Sequence, residues 1–142
     1  MSPRNPFGKE KIVSTSIHQE VTINAKPEEV YQAFMDEARH SAFTGGASRI
    51  SNEVGGRAEM HDGQIVAQNI ELEANRKIVQ AWRVAAWDEG VYTLLRISLA
   101  ADGSGTRLTL DQTGCPEDMT EHLSAGWEAR YWQHLKAYFD DS

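Results

Sequence analysis

Residues 116–139 constrain the fold of this chain more than any other stretch. Leu123, Trp127, Arg130/Tyr131, His134 and Tyr138 recur there at spacings of three and four, which predicts one long amphipathic helix with an aromatic stripe. Rings of that size cannot be left in water along a whole helix face, so the stripe must lie on another apolar surface. The preceding sequence supplies one, because after a single short helix it reads as strands.

Residues 1–11 hold two of the four prolines and several charges, and read as a loosely ordered arm ahead of one domain over residues 12–142. Residues 12–23 alternate, with Ile17, Gln19, Val21 and Ile23 on one face of a half-buried strand. Pro27, followed by Glu28 and Glu29, opens a helix in the manner favoured at a positive helix terminus. Val30, Ala33, Phe34 and Ala38 form its apolar stripe, and Phe43 begins an exit loop ending at Gly45 and Gly46. Extended runs come next over residues 48–51, 57–61, 64–73, 77–85, 91–100 and 106–113, with Asp62-Gly63 as a strong hairpin signal. The expected class is α+β: a curved antiparallel sheet of six or seven strands, two helices, and the long C-terminal helix packed across the sheet.

The formal net charge of −7 argues against nucleic acid and against an anionic membrane surface, since both require an excess of Lys and Arg on one face. No window approaches the ~18 apolar residues of a membrane span, and no signal-peptide pattern opens the chain, so a cytoplasmic setting is expected. Cys115 is the only cysteine, which excludes an intrachain disulfide and a cysteine-based zinc site.

Seven short motifs in this order resemble the helix-grip superfamily, which includes START-like lipid-transfer domains and polyketide cyclases. They are residues 25–34 at the first helix, Ala42-Phe43-Thr44-Gly45, Gly55-Gly56-Arg57, Trp82-Arg83, Trp87-Asp88-Glu89-Gly90, Gly105-Thr106-Arg107-Leu108, and Gly126-Trp127 with Tyr131-Trp132. Within the superfamily the likeness is to the C-terminal domain of the activator of the heat-shock-protein-90 ATPase and its bacterial relatives. That resemblance implies a helix-grip fold and a heat-shock-protein-90 type chaperone as a candidate partner. The eukaryotic co-chaperone also has a separate N-terminal gripping domain, for which eleven residues before the first strand offer no counterpart, so the likeness carries the fold further than the role.

The residues that could carry chemistry are few. His18, His40, His61, His122 and His134 show no zinc-ligand spacing and read as scattered surface histidines, so no metal and no cofactor is expected. His134 is set apart by its place on the aromatic stripe, where a near-neutral pKa would suit proton transfer beside Tyr131. Glu71 and Glu73 are assigned to the wet face of their strand, with Val66, Gln68, Ile70 and Leu72 opposite. Gln19, Gln68 and Gln80 then fall on inner faces, and unpaired buried amides point to a partly wet cavity. Trp87 sits in a turn and reads as an exposed rim residue, while Gly126 is expected to let the helix approach the sheet closely.

The leading expectation is a non-catalytic domain that takes a small, largely apolar molecule under the terminal helix. Its ligand-binding residues would be Phe43, Gln68, Gln80, Trp82, Trp87, Trp127, Tyr131 and His134. A co-chaperone-like adaptor, meeting its partner around Trp87-Asp88-Glu89, is the alternative. A cyclase- or dehydratase-like enzyme using His134 and Tyr131 as acid–base groups is the second alternative.

Overall fold

The computed structural model describes residues 15–140. The arm assigned to residues 1–11, and the start of the first strand at Ile12, lie outside the described residues. Seven antiparallel strands form one sheet: β1 (Ile17–Ile23), β2 (Arg49–Ile50), β3 (Arg57–Met60), β4 (Ile65–Glu73), β5 (Lys77–Val84), β6 (Thr93–Asp102) and β7 (Gly105–Thr113). Their spatial order is β1-β7-β6-β5-β4-β3-β2, so a hairpin meander is completed by β1 pairing back onto β7. This is the α+β arrangement expected, with the curved sheet wrapped on one side around the terminal helix.

The first helical stretch is two helices, not one. Helix α1 (Pro27–Met35) stops at Asp36, whose backbone is extended (φ −96°, ψ 119°) and whose carboxylate accepts from the Arg39 N–H at 3.0 Å. That cap starts α2 (Glu37–Thr44), which ends at Gly45 in the left-handed conformation. Phe43 is therefore a buried helical residue rather than the first residue of a loop. A mid-pattern Asp stops one helix and caps the next because its side chain competes locally for backbone N–H groups.

The terminal helix also departs from regularity. After a short 3₁₀ turn, helix α3 (Thr120–Gly126) passes into a π-helical segment (Trp127–Trp132) and then into helix α4 (Gln133–Asp140). In the π segment the Gln133 N–H reaches back five residues to the Glu128 carbonyl. The extra residue in that turn brings Tyr131 and Trp132, neighbours in sequence, to the sheet together; they are 5% and 1% exposed. It also advances the phase of the last two turns of the helix. Leu135 is fully buried, whereas His134, which a regular helix would place on the stripe, is exposed.

The core fills the space between the concave face and these helices. Ile78, Trp82, Leu95, Ile97, Leu108 and Leu110 from the sheet meet Val30 and Phe34 of α1 and Leu123, Trp127, Tyr131, Trp132 and Leu135 of the terminal helix. Among the described residues no helix is long and apolar enough to cross a membrane.

Gly126 does not serve close packing, because a Cβ built there meets nothing within 4 Å. Its backbone is ordinary right-handed helix (φ −64°, ψ −38°). Gly126→Ala should therefore raise stability by about 0.5–1 kcal/mol through lower backbone entropy in the unfolded chain. Urea unfolding reads this directly, and a loss of stability would show that the π segment requires glycine at its start.

Candidate functional site

The space directly beneath the terminal helix is nearly solid. A small cavity of about 20 Å³ lies there among the described residues, bordered by Gln80, Trp82, Leu95, Ile97, Trp127 and Tyr131. That is room for about one water molecule.

The inward amides explain the filling, since they are satisfied by protein. Gln19 donates to the Ser124 carbonyl and hydroxyl at 3.0 and 2.9 Å, and accepts from the Trp132 indole at 2.6 Å. Gln80 donates to Asn69 Oδ1 at 3.0 Å, and Asn69 in turn donates to the Ser51 and Glu53 carbonyls, tethering the loop between β2 and β3. A third chain runs from the Trp127 indole to Gln112 Oε1 (2.8 Å), from Gln112 to Thr93 Oγ1 (2.9 Å), and on to the Trp82 carbonyl (2.8 Å). Each network meets the requirement that buried polar groups be paired.

Gln68 is not among the inner residues. It is exposed on the convex face and donates to the Gly55 carbonyl at 3.3 Å. The inward residues of β4 are Ile65, Ala67 and Asn69, and a bulge between Asn69 and Glu71 then returns Leu72 towards the core. Small Ala67 and polar Asn69 hide the true core face, while Val66 and the half-exposed Ile70 mimic one on the other side. Glu71 and Glu73 do lie towards water, both paired to Lys77 at 2.9 and 3.0 Å.

Open space lies beside the first half of the terminal helix. A cleft of about 410 Å³ separates that helix from the β3–β4 hairpin and the end of β5. Ile65, Val84, Trp82, Met119, Leu123 and Trp127 give it apolar walls; Ala125, Gly126 and Ala129 keep the helix side low; His61, Gln64, His122, Arg130 and Tyr131 are its polar members. A second, polar pocket of about 310 Å³ adjoins it through the shared residues His61, Gln64 and Arg130, and is closed by Thr44, Asp62 and His134.

Where these spaces meet, the Tyr131 hydroxyl is hydrogen-bonded at 3.1 Å to Nε2 of both His40 and His61. A phenol has one proton to give, so at most one imidazole accepts from it and the other must offer it an N–H. The far nitrogen of His40 bonds the Ser48 hydroxyl at 2.9 Å. Burial, helped by the proximity of His61, pushes the His40 pKa down to about 4. Burial and the Arg130 charge lower His61, against a weaker opposing pull from Asp62. Burial raises the Tyr131 phenol, so the group is uncharged at neutral pH. His61 reaches Tyr131 from a turn in which His61, Asp62 and Gly63 all have positive φ (53°, 60° and 85°), a conformation costly for the two non-glycine residues.

Of the residues nominated from sequence, Trp82, Trp127 and Tyr131 come together in the cleft. Phe43 packs edge-on to Phe34, His40 and Tyr131 in the core. Gln80 borders only the water-sized cavity. Trp87 is half-buried rather than an exposed rim: its ring packs against Trp82, and buried Arg83 donates to its carbonyl. Its indole Nε1 is buried without a hydrogen-bond partner among the described residues. The exposed His134 borders the polar pocket, and Tyr131 has His40 and His61 as its partners, so the proposed acid–base pair does not assemble. His40 and His61 are not scattered surface residues, although His18 is, held by Asp111 at 2.6 Å and Glu20 at 3.2 Å. Cys115 is buried, and burial raises its thiol, so it acts as a packing residue.

A curved antiparallel sheet gripping an aromatic terminal helix, with a cleft along that helix, defines the helix-grip class of α+β domain. The family model described as "Activator of Hsp90 ATPase homolog 1-like protein" matches residues 24–140, and the chain belongs to that family. It is 27% identical over 129 residues to the human "Activator of 90 kDa heat shock protein ATPase homolog 1", covering 91% of this chain and 38% of that protein. It is 32% identical over 117 residues to the Dictyostelium discoideum "Activator of 90 kDa heat shock protein ATPase homolog", covering 82% of this chain and 30% of that one. The chain thus spans well under half of the curated relatives it matches. Among solved structures, an HSP90 activator from Plasmodium falciparum superposes with a TM-score of 0.84 at 20% identity, over 89% of this chain and 97% of that one.

The depressed His40 pKa makes stability depend on pH. The unfolded chain binds a proton at His40 below its ordinary value of 6.5 while the native state resists until about 4. Stability is therefore full above pH 6.5 and is lost as pH falls towards 4, by roughly 3 kcal/mol if His40 alone is counted. Urea unfolding of wild type and His40→Gln across that range should show a much flatter profile in the variant. Equal slopes would contradict a buried neutral His40.

Proposed function

We propose that this domain binds a small, largely apolar molecule in the cleft beside the first half of the terminal helix. The observation that carries the reading is the contrast between two spaces. The interior is filled to the size of one water, whereas the flanking cleft is about 410 Å³ with Trp82, Trp127, Leu123 and Ile65 in its walls. Pockets of that size and lining are the usual form of a small-molecule site. Tyr131 and His61 border it as neutral hydrogen-bonding groups and lend orientation rather than acid–base chemistry. The role is non-catalytic.

A second reading has support of a different kind. Relatives in the family bear names such as "Hsp90 co-chaperone AHA1" from Saccharomyces cerevisiae, which is 25% identical over 143 residues. An adaptor for a heat-shock-protein-90 type chaperone would use surface rather than cleft, and Asp88 and Glu89 are exposed beside Trp87. Binding to such a chaperone and stimulation of its ATPase, unaffected by blocking the cleft, would favour it.

Ligand-observed NMR against a library of lipophilic compounds tests the first reading. Binders should appear, and Ala129→Phe, which places a ring at the open side of the cleft, should weaken them at least about tenfold while the thermal midpoint holds. A blank library, or binders indifferent to the added ring, would refute the cleft as the site.

A further inference from the structure

We propose that the cleft selects an amphiphile with an acidic head group, a carboxylate on an apolar body, with the carboxylate held by Arg130. The proposal rests on the cleft being a ligand site, and it specifies the ligand's charge. The chain carries 21 Asp and Glu against 14 Lys and Arg, yet among the described residues no acidic one lines the cleft. Its one permanent charge is Arg130, and the other ionisable side chains in its wall are His61, His122 and Tyr131. Arg130 has no carboxylate within ion-pair distance among the described residues. The nearest acidic group bordering the same junction, Asp62, lines only the adjoining polar pocket and accepts the Ala47 N–H at 3.2 Å.

Arg130 lies where the cleft adjoins the polar pocket, and His122 stands about two helical turns earlier, beside Leu123. Trp82, Trp127, Leu123 and Met119 receive an apolar body, and the space ends at His61, Gln64 and Arg130, where it opens into the polar pocket. A guanidinium presents a planar fork of donors that matches a carboxylate with two parallel hydrogen bonds. In an otherwise acidic protein, an uncompensated arginine at the end of an apolar cleft attracts an anion and disfavours a cation of the same shape. Gln64 adds an amide able to donate to the same head group.

The test compares decanoate, decanol and decyltrimethylammonium on the full chain at one pH, read by the fluorescence of the tryptophans in the cleft and by calorimetry. Decanoate should bind at least about tenfold more tightly than decanol, and the ammonium more weakly than either. Arg130→Gln should bring decanoate down to the decanol affinity without changing decanol, and Arg130→Lys should keep part of the difference. Arg130 is exposed, so neither change should move the thermal midpoint. Decanol binding as well as decanoate, or Arg130→Gln weakening both alike, would overturn the assignment of the head group while leaving the cleft as a ligand site. No binding by any of the three would remove both.

Discussion

The π-helical turn from Trp127 to Trp132 is the constraint on which the rest of the interior depends. One additional residue in that turn lets two adjacent aromatics face the sheet together. Each then finds its own polar anchor on a different element, Trp132 at Gln19 of β1 and Tyr131 at His40 of α2 and His61 of the β3–β4 turn. Trp127, at the start of the turn, is fixed to Gln112 of β7. Three rings of one helical segment are thereby fastened to separate parts of the sheet and to α2. A regular helix would send one of Tyr131 and Trp132 away from the sheet and His134 towards it.

These anchors decide where space is left. Aromatic bulk from the π turn and paired amides from β4, β5 and β7 occupy the centre, so the vacancy is displaced to the flank, where Ala125, Gly126 and Ala129 present little side chain. The amides, imidazoles and hydroxyls that anchor these three rings are paired with one another or with backbone carbonyls, and such networks rigidify a core when complete. Tyr131 belongs to both environments, bordering the filled cavity on one side and the cleft on the other. A ligand in the cleft would therefore touch a residue whose position is set by two histidines on separate elements.

The fold was legible in the sequence because period-two alternation, the Asp62-Gly63 turn and the helical aromatic spacing are local signals. The site was legible only in part. Trp82, Trp127 and Tyr131 could be assigned to the inner side because large rings at inward phase are hard to misplace. Gln68 was misplaced because a bulge reverses the phase of β4, and the alternation of Val66, Ile70 and Leu72 gives no sign of it. His134 was misplaced because a π turn is invisible to a count of 3.6 residues per turn. His40 and His61 were missed because their common partner, Tyr131, lies 91 and 70 residues away. His40 did carry a weak signal, standing three residues before Phe43 on the buried side of α2.

Whether a bound molecule lies along the helix flank or beneath the helix is the question that decides between a filled and an open interior. Intermolecular NOEs between a bound apolar ligand and methyl-labelled protein measure this most directly. A ligand in the flanking cleft will give contacts to Ile65, Leu123, Val84 and the indoles of Trp82 and Trp127, with none to Leu95 or Ile97. Contacts to Leu95, Ile97 and Gln80 would instead show that the interior opens to admit the ligand, and would contradict a site on the flank.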